Sequence, residues 1–135
     1  MVDDLVVVDT NVVSYNFKKD SRGRLYETHL LGRTPAIAAQ TLAELEFMPL
    51  VNSWGPARYS ALQHELKNYV FLDTTEEVCR QWAKVRAQAR RIGRAISYGD
   101  SWIAATALAY DLPLITHDPY DFNHIPGLDV ITELG

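Results

Sequence analysis

The sequence predicts a three-layer α/β/α domain around a central parallel sheet of four to five strands. Residues 5–8 form an unbroken apolar run that contains three β-branched valines, which is typical of a strand buried on both faces of a parallel sheet. Further short apolar runs alternate with stretches of helical periodicity along the chain. This alternation indicates crossover connections between parallel strands, and hence an α/β fold.

Five segments are predicted as strands, each apolar and bounded by polar or turn-forming residues. They are residues 5–8, 35–39, 69–72, 112–116 and 128–132. The intervening segments predict helices over 10–17, 25–31, 41–50, 57–67 and 98–110, with a helical turn at 118–122. Pro49 and Gly32 are expected to end two of these helices.

The segment between residue 75 and Gly93 has the most regular helical pattern. Apolar residues recur at the spacing of one helical face, and glycine suits the C-terminal stop. The residues on this face are Val78, Trp82, Val85, Ala89 and Ile92.

Length and composition predict a single soluble domain spanning residues 1–135. Hydrophobic residues make up 47% and charged residues 22% of the chain, which is ordinary for a globular protein. No apolar run is long enough for a membrane span, and the acidic start with its short apolar run does not resemble a signal peptide. The lone Cys79 fits a reducing compartment, so we expect the cytoplasm.

Basic residues are concentrated in one window, although the net charge is −4. The overall charge counts against bulk electrostatic attraction to nucleic acid. Two interpretations of the window remain open: the solvated face of a helix, or a surface for phosphates or an acidic partner. Six of the thirteen Lys and Arg residues lie in it: Arg80, Lys84, Arg86, Arg90, Arg91 and Arg94.

Four carboxylates stand at junctions between predicted elements. Asp9 ends the first strand, Glu44 lies early in the helix after the second strand, Asp100 lies in the first turn of an alanine-rich helix, and Asp118 follows the fourth strand. The carboxyl ends of parallel strands share one edge of the sheet, where ligands bind in open α/β folds. We therefore expect these four acids to lie on the same edge.

Each of these acids also has a purely structural interpretation. Thr41 and Glu44 match a capping box, Ser97 and Asp100 match a weaker version of it, and Asp118 matches an N-cap followed by proline. Asp100 fits this interpretation least. Its own helical face is apolar, which directs the carboxylate toward the sheet, where a buried charge needs a partner. The residues on that face are Ile103, Ala104, Ala107 and Leu108.

A cluster of carboxylates would require compensation. Two such groups about 4 Å apart repel by about 4 kcal/mol at an effective dielectric constant of ~20, whereas a helix N-terminus contributes only about 0.3–1 kcal/mol. Either some groups are protonated or a divalent cation lies among them. Oxygen ligands favour Mg²⁺ or Mn²⁺ over zinc, and such a site can activate water against a phosphodiester.

Four motifs together resemble those of the PIN-domain ribonucleases, and in particular of the VapC toxins of prokaryotic toxin–antitoxin pairs. The likeness spans nearly the whole chain, with the motifs in the right order. They are Val7–Val12, Thr41–Leu45, Gly99–Asp100 with Ile103–Ala107, and Leu114–Asp118 with Asp121–Phe122, followed by Ile125–Leu128.

The resemblance implies a PIN-like fold and a Mg²⁺- or Mn²⁺-dependent endoribonuclease. Asp9 and Asp100 would be the principal metal ligands, with Glu44 and Asp118 completing the site. Members of this group often carry Asn at the place of Asp118 and retain the later acid, so Asp121 shares or replaces its role; Asp118 is preferred because it lies closer to the strand end. The supporting hydrogen-bonding residues would be Thr10, Asn11 and Thr116.

The same resemblance implies three partners: an RNA substrate, a cognate antitoxin protein and a second copy in a homodimer. Two kinds of alternative remain. A PIN-type nuclease acting on other nucleic acid outside a toxin–antitoxin pair would show the same residues. A phosphatase of the haloacid dehalogenase type resembles the chain in Asp9 but wants a second Asp where Asn11 stands, and a receiver module needs an acidic pair ahead of the phosphoacceptor strand.

Overall fold

The structure is a computed structural model that describes residues 4–134; the start of the acidic N-terminal segment, residues 1–3, lies outside the described residues. Its sheet has five strands, all parallel, in the order β3-β2-β1-β4-β5. This confirms the predicted parallel sheet. The strands are β1 Leu5–Val8, β2 Thr34–Ala38, β3 Val70–Leu72, β4 Leu114–Ile115 and β5 Val130–Ile131.

Helices connect the first four strands in succession and cover both faces of the sheet, while a 3₁₀ turn lies between β4 and β5. They are α1 Thr10–Lys18, α2 Ser21–Arg24, α3 Glu27–Leu30, α4 Ala39–Val51, α5 Pro56–Leu66, α6 Glu76–Arg91 and α7 Tyr98–Ala109, with a 3₁₀ turn at Pro119–Asp121. Within residues 4–134, no helix combines the length and the apolarity that crossing a bilayer requires.

The first strand lies at the centre of the sheet, between β2 and β4. Successive side chains of a strand point to opposite faces, and all three valines of β1 are fully buried. On one face Val7 packs in a core with residues of α6 and α7 such as Val85 and Ile103. On the other face Val6 and Val8 pack with residues of α1, α4 and α5 such as Val12, Leu45 and Leu62. The three-layer architecture is therefore confirmed.

The alanine-rich α7 lies close to the sheet because its small side chains permit close approach, with Ala104 and Ala107 fully buried. Helix α6 is capped by the Thr75 hydroxyl, which accepts from the backbone N–H of Val78 at 3.2 Å. Its predicted apolar face is confirmed except at Ile92, which is 50% exposed because it lies at the C-cap, past the last helical turn.

Two predicted helix boundaries are wrong. Only Glu27–Leu30 of the predicted helix 25–31 is helical, as the one-turn helix α3. A separate one-turn helix, α2, precedes this range, because the Asp20 carboxylate accepts from the Arg22 N–H at 2.9 Å and starts a helix at Ser21. Pro49 does not end α4, which runs on to Val51. The buried proline removes one helical donor, and Asn52 closes the helix by donating both its backbone N–H and its side-chain amide to the Met48 carbonyl, each at 3.0 Å.

Candidate active site

The site is centred on Asp9, at the carboxyl end of β1. Asp9 is the N-cap of α1, and its carboxylate accepts from the backbone N–H of Thr10 at 2.8 Å. The Thr116 hydroxyl, just beyond β4, donates to the other carboxylate oxygen at 2.8 Å. The residue is only 4% exposed. Among the described residues, these two donors are the hydrogen-bond partners of its buried carboxylate.

The electrostatic environment of Asp9 is unfavourable to its charged form. Burial raises the pKa of Asp9 most, and the negative charges of Asp100 and Asp118 contribute to the rise, while the Thr116 and Thr10 hydrogen bonds lower it. Together these effects raise the pKa from 3.8 to about 7. Asp9 is thus a buried carboxylate placed among other carboxylates.

Asp100 lies half-buried in the first turn of α7. Its backbone N–H donates to the hydroxyl of the N-cap Ser97 at 3.0 Å, as the weaker capping interpretation predicted. Burial raises the pKa of Asp100, and the charge of Asp121 contributes next, ahead of those of Glu44 and Asp118. The cap accounts for the backbone N–H of Asp100, but it does not compensate the charge of the carboxylate, which lies near other acids.

The capping-box interpretation of Glu44 is wrong. Helix α4 begins at Ala39, which places Thr41 and Glu44 inside it and makes Ala38 an N-cap without a side-chain bond. The Thr10 hydroxyl instead lies 2.8 Å from the Glu44 carboxylate and 2.9 Å from the Thr41 hydroxyl. Glu44 is therefore joined to the residue that directly follows Asp9.

Asp118 occupies the predicted N-cap position before Pro119, but its side chain makes no capping bond to the 3₁₀ turn. The carboxylate accepts from the Asn11 side-chain amide at 2.7 Å, while the Asp118 backbone N–H donates to the Thr116 hydroxyl at 2.9 Å. Asp121 is exposed and lies close enough to Asp100 to raise its pKa. Both candidates for the fourth acid thus act on Asp100.

The three residues predicted to support the site each contact a different acid: Thr10 contacts Glu44, Asn11 contacts Asp118 and Thr116 contacts Asp9. The Asn11 side-chain amide donates to Asp118 and has no titratable proton. Position 11 therefore lacks the acid–base group that an aspartate-nucleophile phosphatase requires. Among the ion pairs of residues 4–134, none involves one of the five acids of the site.

A family model described as the PIN domain matches residues 6–128. The chain belongs to the PIN-domain family.

Named relatives agree with this assignment. The chain is 31% identical over 123 residues to "Ribonuclease VapC5" of Mycobacterium tuberculosis, covering 90% of this chain and 87% of the relative. It is also 31% identical over 136 residues to "VapC ribonuclease Y4jK" of Sinorhizobium fredii, covering 94% and 96%. Among solved structures, VapBC2 of Rickettsia felis bound to a promoter DNA fragment superposes with a TM-score of 0.81 at 25% identity, covering 95% of this chain and 98% of the other.

The donor set of this PIN domain fits a hard divalent cation. It consists of carboxylate oxygens with hydroxyl and amide groups beside them, the ligand chemistry that Mg²⁺ and Mn²⁺ prefer. Within the part of the chain that the structure describes, no three Asp, Glu, His or Cys side chains already stand in a metal-binding arrangement. Glu44 and Asp118 accept from Thr10 and Asn11 through one oxygen each, and the second oxygen of each carboxylate accepts no hydrogen bond from the described residues.

One set of contacts near the site had no counterpart in the sequence analysis. The hydroxyl of the fully buried Tyr26 lies 2.6 Å from Nδ1 of His117 and accepts from the Glu133 N–H at 3.2 Å. It also donates to the Thr116 carbonyl at 3.2 Å. This bond braces the residue that holds Asp9. His117 and Glu133 are 91 and 107 residues away from Tyr26 along the chain, so no local pattern could indicate these contacts.

Proposed function

We propose that this PIN domain is a divalent-metal-dependent endoribonuclease and the toxin of a toxin–antitoxin pair. The observation that carries the proposal is the buried Asp9 carboxylate, whose pKa is raised to about 7 by burial and by the charges of Asp100 and Asp118. A carboxyl group whose pKa is shifted this far by its surroundings is typical of a functional site. A cation bound beside Asp9 would stabilise the charged carboxylate and so lower this pKa.

The comparisons support the chemistry and the partners. Relatives at 31% identity are named as ribonucleases, and the structurally similar VapBC-5 of Mycobacterium tuberculosis is described as a member of the VapBC family of toxin–antitoxin systems. On this basis the substrate is RNA and the partner is a cognate antitoxin. A homodimer, which the family resemblance implies, and a cytoplasmic location remain predictions.

The mechanism assigns a role to each side chain of the site. Thr116 and the Thr10 N–H fix both oxygens of Asp9, and Asp9 and Asp100 would hold the cation as principal ligands. Glu44 and Asp118 would complete the site, with Asp121 able to share the role of Asp118. When bound, Mg²⁺ or Mn²⁺ supplies the activation of water and the neutralisation of charge on the phosphodiester. The hydroxyls of Thr10 and Thr116 orient the acids.

The proposal is tested by induced expression in a bacterial host. We expect growth arrest and fragmented RNA with the wild-type protein, and neither with Asp9→Ala. Asp129→Ala removes an exposed acid remote from the site and is the matched control, expected to arrest growth like the wild type. Co-expression of a small DNA-binding protein encoded beside the gene should restore growth. Equal arrest by Asp9→Ala at equal soluble protein would refute the proposal.

A further inference from the structure

The connection between α6 and α7 forms an open groove that the proposed chemistry does not use. Its volume is about 560 Å³, within the range of small-molecule sites. Three arginines, Arg86, Arg90 and Arg94, line it together with small residues such as Ala87 and Gly93. We call these three arginines and the space between them the arginine groove.

The charges of the arginine groove are available to an anion. Among residues 4–134, the ion pairs of arginine involve Arg22, Arg33 and Arg80 and none of the three groove arginines. The planar guanidinium matches the geometry of phosphate oxygens and can bind them with two parallel hydrogen bonds. In a chain of net charge −4, guanidinium groups gathered in one concavity favour a polyanion there over the rest of the surface.

Two exposed aromatic rings flank the groove. The Arg86 guanidinium lies 4.3 Å from the centre of the Tyr98 ring, and that of Arg94 lies 4.0 Å from the centre of the Tyr120 ring. Tyr98 is 66% exposed and Tyr120 is 72% exposed. Rings and guanidinium planes of this kind are the surfaces on which unpaired bases stack.

The groove adjoins the acidic site at two points. Tyr98 precedes Asp100 by two residues in the first turn of α7, and Tyr120 lies between Asp118 and Asp121 in the 3₁₀ turn. Arg94 donates to the Tyr120 carbonyl, which ties the groove to that turn. The acids repel a polyanion, so cations beside them are needed to bring a phosphate chain to the site.

We propose that the arginine groove binds backbone phosphate of the RNA strand next to the phosphodiester that is cleaved. Arg90 and Arg94 contact phosphate, and Tyr98 and Tyr120 stack on the flanking bases. Arg86 is a positioning residue, because it packs on Tyr98 and donates to the Ile96 carbonyl. An acidic protein segment would match the arginines but leave both exposed rings without a role. This inference rests on the proposed ribonuclease function and identifies the surface on which the RNA strand lies.

The test measures binding of a fluorescent single-stranded RNA by anisotropy across a range of salt, in Mg²⁺ and in an Asp100→Asn background to prevent cleavage. Arg90→Ala and Arg94→Ala together should weaken binding about tenfold or more. The slope of log affinity against log salt should shrink by about 0.7 for each phosphate that is no longer neutralised. The control is Arg80→Ala, which matches the charge change of Arg90→Ala alone and lies ten residues from Arg90 on the same helix; its affinity should change less than about twofold.

Two further variants separate stacking from charge and from misfolding. Tyr120→Ala should weaken binding without changing the salt slope, because stacking releases no counterions, whereas Tyr120→Phe should bind as the parent does. Arg90 is exposed, so Arg90→Ala alone should keep the thermal unfolding profile and still reduce the slope by about 0.7.

The outcomes distinguish the groove from the function. If the wild-type protein cleaves RNA but the double arginine variant binds it with unchanged affinity and slope, the groove proposal is wrong and the ribonuclease stands. Unchanged RNA binding with weakened binding of the antitoxin would assign the groove to a protein partner and equally overturn it. If the wild-type protein neither binds nor cleaves RNA, the proposed function fails, and the groove proposal with it.

Discussion

Asp9 shows how a single residue can oppose the stability of the fold that positions it. Its ordinary pKa of 3.8 rises to about 7 in the folded chain, so the folded state retains a proton that the unfolded state releases between these two values. Stability therefore falls as pH rises through this window. Each unit of pKa corresponds to about 1.36 kcal/mol, which implies a penalty of roughly 4 kcal/mol above pH 7.

We predict that Asp9→Asn stabilises the protein at pH 8 and not at pH 4. The neutral amide avoids the burial of charge, but it gives up about 1 kcal/mol because it cannot accept from both Thr10 and Thr116. We expect a gain of about 1–3 kcal/mol in the free energy of unfolding at pH 8, measured by urea denaturation without divalent metal. The gain should vanish toward pH 4, where Asp9 is protonated in the folded wild type.

Asp129→Asn is the matched control, because its side chain is exposed and should leave the pH dependence unchanged. Adding Mg²⁺ should stabilise the wild type at pH 8 and leave Asp9→Asn nearly unaffected. Equal stability of Asp9→Asn and the wild type across pH 4–8 would show that the Asp9 charge is compensated within the protein itself.

The position of Glu44 shows that a local sequence pattern cannot decide which residue a side chain contacts. Thr41 and Glu44 have the spacing of a capping box, yet α4 begins two residues before Thr41. The Glu44 carboxylate is positioned by Thr10, 34 residues earlier in the chain. Only the packing of α1 beside α4 brings these residues together, and that packing depends on the sheet order.

Helix α7 positions Asp100 through its first turn. The Ser97 hydroxyl accepts from the Asp100 N–H, and the Ser101 hydroxyl donates to the Ser97 carbonyl at 2.8 Å. These bonds fix the backbone from which the carboxylate projects. Loss of the cap should therefore affect both stability and the placement of Asp100.

We predict that Ser97→Ala lowers the free energy of unfolding by about 1 kcal/mol and reduces RNA cleavage severalfold. Thr75→Ala removes the equivalent cap from α6, remote from the acids, and should cost similar stability while leaving cleavage unchanged. Urea denaturation and initial cleavage rates measure the two effects. A loss of activity that is the same for both variants would show that general destabilisation, and not the position of Asp100, is responsible.

The elements differ in how well the sequence predicted them. The buried run of β1 and the periodic face of α6 are well predicted, because the core demands apolar residues at those positions. The limits of β4 and β5 were overestimated, since the ladder pairs only Leu114–Ile115 with Val130–Ile131, although the apolar character extends further on both sides.

The strand order of the sheet creates the site. Because β1 lies between β2 and β4 and all strands are parallel, Asp9, Glu44 and Asp118 follow three adjacent strands at one edge. Parallel alternation and the polar residues after each strand made this convergence predictable. The arginine groove was not predictable in this way: its charges lie in one window of sequence, but their contacts with Tyr98 and Tyr120 depend on how α6 meets α7 and the 3₁₀ turn.

Cleavage of RNA by the purified protein shows whether the acids at this edge act through a divalent metal to hydrolyse RNA. We predict cleavage in Mg²⁺ or Mn²⁺, none in excess chelator, and a loss of at least about 100-fold in Asp9→Asn and in Asp100→Asn, since a barrier raised by about 2.7 kcal/mol has this effect. Asp129→Asn should retain full activity. Undiminished cleavage by both site variants, or by the wild type in excess chelator, would show that the acids do not act through a metal.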